Sequence, residues 1–373
     1  MKNIKPNLFF IISTSRSGST MLRQLFNTHN NIAIPEREFG ELKTILEGLD
    51  DYGDLSNTSN FSLFYKNTRD INFINLNKNT IEKKGFYRVQ KDDWFEKINN
   101  FNIYEIYKEL LISLSSFSDS TKLKLSWVGD KSPQHINYLE KIIKHFPMAN
   151  FILLKRNPID TALSQDRFSY RHFNNEYGKE NIDIFWKKLQ KKSNKILKVR
   201  IESNIRKILK ARDILKNSNV NFMEVVYEDI ISDPNYAMKS IVEFLDLKNN
   251  FDLNKFRIHK GSSGKQIAKT KIISNNKHKY LETLNLKMIK DFESNYKTNI
   301  DKMFAKEFYS TFPTKISKIQ IFKYKIEYFM NTFISLMKIF SFSDTLKLLF
   351  KKYIVRNYKK NTFYNKSQYN DIL

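Results

Sequence analysis

Residues 8–38 read LFFIISTSRSGSTMLRQLFNTHNNIAIPERE, and three structural patterns follow one another in this stretch. Residues 8–12 are apolar and partly β-branched, which predicts a short buried strand. A polar loop of small residues follows at 13–20, and apolar residues then recur at helical spacing over 21–26. A strand, a tight loop and a helix in this order direct backbone N–H groups and a helix N-terminus toward an anion. The stretch therefore predicts a phosphate-binding loop at the start of an α/β domain.

The loop differs from the loop that binds nucleoside triphosphates. Gly18 lets the backbone approach an anion closely and Arg16 supplies a fixed charge, but the residue after Gly18 is not the lysine of the G-x-x-x-x-G-K-[ST] pattern. We therefore expect a nucleotide whose reacting group needs no magnesium-bridged phosphoryl chemistry. A serine-rich turn that only caps a helix is the alternative. Four hydroxyl side chains complete the candidate ligands: Ser15, Ser17, Ser19 and Thr20.

A second strand and helix supply another pair of candidate ligands. Residues 148–156, MANFILLKR, predict a buried strand that ends at Arg156, and Pro158 suits the first turn of the helix that follows. Arg156 at the strand end and Ser164 on the helix can converge on one phosphate. Together with TSRSGST upstream, this pattern resembles the sulfotransferases that use 3′-phosphoadenosine 5′-phosphosulfate (PAPS). The resemblance implies that the first loop holds the 5′-phosphosulfate, and that Arg156 and Ser164 hold the 3′-phosphate.

The resemblance also implies the catalytic residues. A glutamate after the first helix serves as general base in similar enzymes, and here Glu36 and Glu38 flank Arg37, so both remain candidates with Glu36 as the first choice. Lys131 ends the probable strand 125–131 and precedes a small residue and a proline, as the catalytic lysine of the family does. A cation there would stabilise the charge that sulfuryl transfer spreads over oxygen atoms, and Arg16 would assist it.

A glycine- and serine-rich segment, IHKGSSGKQIAKTKI at 258–272, is the last candidate for the nucleotide site. Lys260 and Gly261 match part of a pattern of the cytosolic sulfotransferases, whereas Ser263 matches part of a pattern of the tyrosylprotein type. The two matches imply different contacts with the nucleotide. Glycine, serine and lysine together also suit the binding of an anion.

Composition limits the remaining possibilities. A net charge of +25 suits an anionic cofactor, nucleic acid or an acidic membrane surface, but lysine and asparagine are abundant throughout, and no nucleic-acid recognition motif occurs. The chain has no cysteine, and its six histidines show no metal-ligand spacing, so we expect no metal site. No run of 18 apolar residues and no secretory signal is present, so we expect a cytoplasmic enzyme.

The whole pattern predicts a three-layer α/β fold with a mainly parallel central sheet, similar to the P-loop nucleotide-binding folds. Further elements are a helix at 103–114, a helix at 136–146, a strand at 221–226 and, within 230–247, a helix that starts at Asp233-Pro234. We expect a sulfotransferase domain at 1–310 and a helical extension at 311–373, which is basic and aromatic and can either contact a membrane surface or serve as a packing arm.

The predicted reaction is sulfuryl transfer from PAPS to an acceptor hydroxyl or amine by in-line displacement, without a metal ion. Carbohydrate, lipid, small alcohol and peptide tyrosine remain open as acceptors. A nucleotide-dependent kinase of the same fold is one alternative, and the missing lysine argues against it. A non-catalytic protein that binds membranes or polyanions through its basic surface is the other.

Overall fold

The computed structural model describes residues 6–35, 38, 42–73, 101–115, 125–177, 194–248, 251, 256, 258–260, 265–267, 280–284 and 286–304. The chain divides into two compact units. The first unit comprises Met1–Ser169 and Asn194–Glu307 and contains the sheet and the candidate site. Of the second unit, Tyr170–Ser193 and Phe308–Leu373, only the helical residues 170–177 are described. The predicted extension at 311–373 lies outside the described residues.

A five-stranded sheet forms the centre of the first unit. Its strands are β1 Asn7–Ser13, β2 Ile32–Ala33, β3 Trp127–Lys131, β4 Asn150–Lys155 and β5 Phe222–Val226. Their order is β2-β3-β1-β4-β5, and every neighbouring pair is parallel. A separate antiparallel pair joins β6 Ile258–Lys260 to β7 Lys265–Ile267. The predicted α/β class and its parallel central sheet are therefore confirmed.

Strand β1 is the middle strand of the sheet, and its sequence reflects that position. Residues 8–13 are all buried, because helices cover both faces of a parallel sheet and leave no solvent-exposed side. On one face, Phe9 and Ile11 belong to the main apolar core. On the other face, Phe10 stacks on Phe151 with 5.7 Å between ring centroids and contacts Phe146 at 5.2 Å. The continuous apolar run that predicted β1 thus follows from burial on both faces.

Eleven α-helices connect or cover these strands in the described part of the chain. They are α1 Ser19–Phe26, α2 Leu42–Glu47, α3 Thr58–Phe73, α4 Ile103–Leu114, α5 Leu139–His145, α6 Pro158–Tyr177, α7 Asn194–Asn217, α8 Tyr227–Ser232, α9 Pro234–Phe244, α10 Tyr280–Thr283 and α11 Leu286–Phe304. Helices α1, α8 and α9 contribute to the core on the Phe9 face. Tyr107 of α4 stacks on Phe10 at 6.2 Å on the opposite face, so the unit has three layers.

One helix prediction differs from the structure in its bounds, and another is confirmed. The predicted helix at 136–146 is a short 3-10 helix, His135–Asn137, followed by α5. The helix predicted to start at Asp233-Pro234 is α9, and the Asp233 side chain accepts a hydrogen bond from the backbone N–H of Tyr236 at 3.0 Å. Proline suits the first turn of α9 and cannot continue the preceding helix α8, which the sequence did not predict.

The connections between strands place the candidate nucleotide-binding residues at one edge of the sheet. Strand β1 lies between β3 and β4, so the chain moves to one side of β1 first and to the other side later. Ligands of open α/β sheets bind beyond the carboxyl ends of the strands at such a reversal. The loop after β1, the end of β3 and the turn after β4 all lie at this edge.

Candidate active site

The first loop, residues 14–18, leaves β1 and enters α1 through two residues of positive φ. Arg16 has φ of 66° and Gly18 has φ of 97°. A Cβ atom on Gly18 would lie 2.2 Å from Cδ2 of Tyr227, so no side chain fits there. Within the loop, the Ser17 hydroxyl donates a hydrogen bond of 2.7 Å to the carbonyl oxygen of Thr14. The loop is a tight turn that needs its glycine both for φ and for close approach.

Arg16, Arg156 and Ser164 meet beside this loop. Nη1 of Arg156, just after β4, donates to the carbonyl oxygen of Arg16 at 3.1 Å. Nε of Arg16 in turn donates to Oγ of Ser164 on α6 at 3.3 Å. Two guanidinium groups and a hydroxyl therefore lie within one small region, and guanidinium groups are the side chains best suited to phosphate or sulfate oxygens.

The ring of Tyr227 connects the first loop to the turn after β4. Cζ of Arg156 lies 4.3 Å from its centroid, at cation–π distance, and the same ring lies against Gly18. Cζ of Arg16 lies 5.1 Å from the ring centroid of Phe168 on α6. The sequence motifs predicted neither aromatic residue as part of the site. Their contacts join segments far apart in the chain, so the local sequence does not show that they meet.

Lys131 and Glu38 form an ion pair next to α1. Lys131 is the last residue of β3 and is 2% exposed, and its Nζ donates to Oγ1 of Thr20 at 3.2 Å. The same ammonium group contacts the carboxylate of Glu38, whose side chain is 42% exposed. The pair thus joins the end of β3, the first turn of α1 and the segment that follows β2.

Burial lowers the pKa of Lys131 below the ordinary lysine value. The carboxylate of Glu38 opposes this shift, whereas the guanidinium of Arg23 on α1 adds to it. A cation in a dry environment acts more strongly on a neighbouring negative charge than the same cation in water. Lys131 is therefore well suited to stabilise charge that develops at the carboxyl edge of the sheet.

Glu228, which follows Tyr227, supports the turn that carries Arg156. The Glu228 residue is 7% exposed, and its Oε1 accepts a hydrogen bond of 2.9 Å from the backbone N–H of Asn157. Burial raises the pKa of the Glu228 carboxyl above its usual value, and the hydrogen bond from Asn157 opposes that shift. Asn157 in turn accepts a 2.9 Å hydrogen bond from the N–H of Ile159 through Oδ1. These contacts fix the start of α6.

Most of the predicted site residues lie close together. The first loop and the beginning of α1 carry Ser15, Arg16, Ser17, Gly18, Ser19 and Thr20, and they are joined to Arg156, Ser164 and Lys131 by the contacts above. Lys260 is the last residue of β6, where its backbone pairs with that of Lys265. Glu36, Gly261 and Ser263 lie outside the described residues. Gln165, next to Ser164, contacts Ser15 and was not among the predicted site residues.

Two further features bear on the site. Within the described residues, no group of three or more His, Asp or Glu side chains is arranged to hold a metal ion. None of the helices described is long and apolar enough to cross a membrane.

The sequence of the chain matches a known protein family. A family model described as "Sulfotransferase family" matches residues 6–252, which include the first loop, Lys131, Arg156 and Ser164. The chain belongs to the sulfotransferase family. It is therefore a transferase, and the resemblance that the sequence motifs indicated is confirmed. No curated protein matches the chain.

Solved structures with a similar fold are also sulfotransferases. The sulfotransferase domain from the curacin biosynthetic pathway is 18% identical with a TM-score of 0.45, and the match covers 78% of this chain and 98% of that one. The sulfotransferase domain of the Synechococcus PCC 7002 olefin synthase is 20% identical, with a TM-score of 0.38 and coverage of 88% and 96%. A sulfotransferase from Alicyclobacillus acidocaldarius is 12% identical, with a TM-score of 0.39 and coverage of 79% and 92%. Membership rests on the family match rather than on these distant likenesses.

Proposed function

We propose that this sulfotransferase uses PAPS as its sulfuryl donor and transfers the group to a hydroxyl or amine of an acceptor. The convergence of Arg16, Arg156 and Ser164 beside the first loop carries the proposal. A nucleotide with phosphate groups on both its 5′ and 3′ sides needs two anion sites a short distance apart. The first loop suits the 5′-phosphosulfate, and Arg156 with Ser164 suits the 3′-phosphate.

The residues present fit such a nucleotide. Gly18 permits the tight turn beneath Tyr227 that leads into α1, and the N–H groups at the start of that helix can bind an anion. The cations Arg16, Arg156 and Lys131 come from three different strand ends and balance a highly charged ligand. Lys260, Gly261 and Ser263 are further proposed nucleotide contacts, on the family resemblance alone.

The proposed reaction is a direct, in-line transfer. When bound, PAPS supplies a sulfuryl group whose S–O bond to the phosphate breaks as the acceptor oxygen bonds to sulfur, and the electron pair leaves with adenosine 3′,5′-bisphosphate. Lys131 donates hydrogen bonds toward the oxygen atoms that gain charge, and Arg16 assists from the first loop. The mechanism uses no metal ion.

A carboxylate accepts the acceptor proton, and Glu36 and Glu38 are the candidates. The contact of Glu38 with Lys131 supports Glu38, because a base must lie near the cation that faces the reacting group. Glu38→Gln and Glu36→Gln, each with its affinity for adenosine 3′,5′-bisphosphate retained, separate them. The true base loses kcat about 10²-fold or more, and the other glutamate does not.

The acceptor is proposed at the level of its reacting group. Carbohydrate, lipid and small-molecule hydroxyl groups all suit the chemistry of a carboxylate base beside a cation. We propose that the enzyme works in the cytoplasm, and that residues 311–373 can bring it to an anionic membrane surface through their basic and aromatic side chains.

Calorimetric titration tests the donor. Adenosine 3′,5′-bisphosphate and ADP are titrated without magnesium into the wild type, Arg156→Ala and Lys210→Ala. The last variant also removes one positive charge, from an exposed position on α7, and serves as the matched control.

We expect the wild type and Lys210→Ala to bind the bisphosphate more tightly than ADP. Loss of a charged hydrogen-bond partner should weaken binding to Arg156→Ala by at least about tenfold. Equal affinity for the two nucleotides in the wild type, or unchanged affinity in Arg156→Ala, would contradict the proposal. If the titration is repeated with magnesium and ADP then binds more tightly than the bisphosphate, the result would instead favour a kinase.

A further inference from the structure

Gln165 on α6 contacts the first loop directly. Its Nε2 donates to the carbonyl oxygen of Ser15 at 3.0 Å and lies 3.1 Å from Oγ of the same serine. The neighbouring residue on the helix, Ser164, accepts the hydrogen bond from Arg16. Consecutive residues of one helix therefore bind consecutive residues of the loop.

Asn204 on α7 holds Gln165 in this orientation. Nε2 of Gln165 lies 3.1 Å from Oδ1 of Asn204, and Nδ2 of Asn204 donates to Oε1 of Gln165 at 3.3 Å. Asn204 is 4% exposed, so its amide has few alternative partners in water. Nε2 is the atom that faces Ser15, because the Ser15 carbonyl oxygen can only accept a hydrogen bond, and the Gln165 oxygen then accepts from Asn204. An ion pair between Arg200 and Asp166, 3.9 Å apart, joins the same two helices.

The hydrogen bond to Ser15 acts on the part of the loop that is least favourable by itself. Arg16 has φ of 66°, a left-handed conformation that a residue with a side chain adopts only when its surroundings hold it. Gln165 binds the carbonyl oxygen before Arg16, and Arg156 binds the carbonyl oxygen of Arg16 itself. In a trans peptide the N–H points opposite to the C=O, so these bonds fix the directions of the Arg16 and Ser17 N–H groups.

We propose that Gln165 and Asn204 are positioning residues that hold Ser15, and through it the backbone of the first loop, in the conformation that binds the 5′ group of the nucleotide. The inference rests on the proposed function, because it presumes that the first loop is the 5′ site. Gln165 contacts the first loop through Ser15, so its effect should fall mainly on the 5′ side. Loss of the amide should weaken ligands with a 5′-phosphate and spare those with only a 3′-phosphate.

Three nucleotides and four proteins test this. Adenosine 3′,5′-bisphosphate, adenosine 5′-monophosphate and adenosine 3′-monophosphate are titrated calorimetrically into the wild type, Gln165→Leu, Gln165→Asn and Asn204→Asp. Leucine keeps the volume of glutamine but cannot form hydrogen bonds. Asparagine keeps the amide on a shorter side chain that cannot reach both Ser15 and Asn204. Thermal unfolding of each variant shows that it is folded at the temperature of titration.

We expect Gln165→Leu to bind the bisphosphate and the 5′-monophosphate about tenfold more weakly than the wild type does, because two hydrogen bonds to the loop are lost. Gln165→Asn should also bind both ligands more weakly, because its amide cannot be held by Asn204 and reach Ser15 together. Affinity for the 3′-monophosphate should stay within about twofold of that of the wild type. Asn204→Asp keeps the acceptor for Gln165 Nε2 and should show a smaller loss with the same 5′ selectivity.

Two results would overturn the inference while leaving the proposed function intact. One is unchanged affinity for both 5′ ligands in Gln165→Leu, and the other is an equal loss for the 3′- and 5′-monophosphates. If the wild type itself bound the bisphosphate no better than ADP, the proposed function would fail first and the inference with it.

Discussion

Replacement of Lys131 by methionine should stabilise the protein and inactivate it at the same time. Methionine has a similar length and no charge, so Lys131→Met keeps most of the packing and removes the ammonium group. The residue is 2% exposed, and burial lowers the pKa of its side chain. The folded protein therefore bears an energetic cost for holding this charge, which is common at functional sites.

The size of the effect depends on what happens to Glu38. Desolvation of a buried ammonium costs several kcal/mol, and the pair with Glu38 and the 3.2 Å hydrogen bond to Thr20 offset part of it. Loss of one partner of a fully buried pair would destabilise by about 3–5 kcal/mol, because the other charge is left without compensation. The side chain of Glu38 is 42% exposed, so water can solvate its carboxylate. We therefore expect the free energy of unfolding to rise by about 1–2 kcal/mol at neutral pH.

The pH dependence provides an independent check. The lowered pKa means that the unfolded chain binds more protons than the folded chain between that pKa and the ordinary lysine value of 10.5. Wild-type stability should rise with pH across this window on account of Lys131, and the variant lacks this contribution. The advantage of Lys131→Met should therefore be largest below the lowered pKa and should disappear near pH 10.5.

Urea denaturation at several pH values measures the stability, and sulfuryl transfer from PAPS measures the activity. Lys210→Met, on the exposed side of α7, is the matched control and should change neither quantity. Loss of a group that stabilises transition-state charge should reduce kcat about 10²–10³-fold in Lys131→Met. A decrease of about 3 kcal/mol in unfolding free energy would refute the reasoning on Glu38. Unchanged kcat would refute the catalytic role of Lys131.

Three further substitutions test the contacts around the site. Gly18→Ala should lower the unfolding free energy by at least about 1–2 kcal/mol and weaken nucleotide binding. The reason is that φ of Gly18 is 97° and a Cβ atom would lie 2.2 Å from Tyr227. Unaltered nucleotide affinity in calorimetry would contradict this. Tyr107→Phe should cost about 1–3 kcal/mol in urea denaturation, because the Tyr107 hydroxyl donates a 2.6 Å hydrogen bond to the buried carboxylate of Asp130; a change within error would show that the bond contributes nothing. The raised pKa of Glu228 makes the folded chain bind more protons than the unfolded chain, so wild-type stability should fall as pH rises from 4.5 to that pKa. Glu228→Gln should remove this fall and be more stable than the wild type at pH 7 but not at pH 4, by denaturation at both values; identical pH profiles would refute it.

Sequence patterns predicted the elements whose burial or capping is encoded locally. Strand β1 is apolar over residues 8–12, which both layers cover. Helix α4 starts after Asn102, whose side chain accepts a 2.9 Å hydrogen bond from the Glu105 N–H. Strand β2, Ile32–Ala33, has only two residues and is defined by its pairing with Trp127 and Val128 on β3. Such a short strand carries no periodicity of its own, so pairing with a distant segment is the only feature that identifies it.

Helix α8 shows a different limit of sequence reasoning. Strand β5 ends at Val226 and α8 begins at Tyr227 with no residue between them. The predicted end of the strand is confirmed, but no side chain caps the start of α8, so the sequence did not predict a helix there. The change of direction places Tyr227 against Gly18 and Arg156, so the helix that the sequence did not predict is also one that completes the site.

The same reasoning explains which site residues a sequence can reveal. Arg16, Gly18 and Arg156 belong to compact motifs, because a phosphate site needs charge and backbone flexibility at fixed spacing after a strand. Gln165 and Asn204 are 39 positions apart and carry no charge, and on a helix each resembles an ordinary solvent-facing amide. The packing of α6 against α7 brings the two amides together. Suppose that the 5′ selectivity expected for Gln165→Leu is observed. The residues that bind the nucleotide are then encoded by local motifs, whereas the geometry of those residues is encoded by contacts between distant helices.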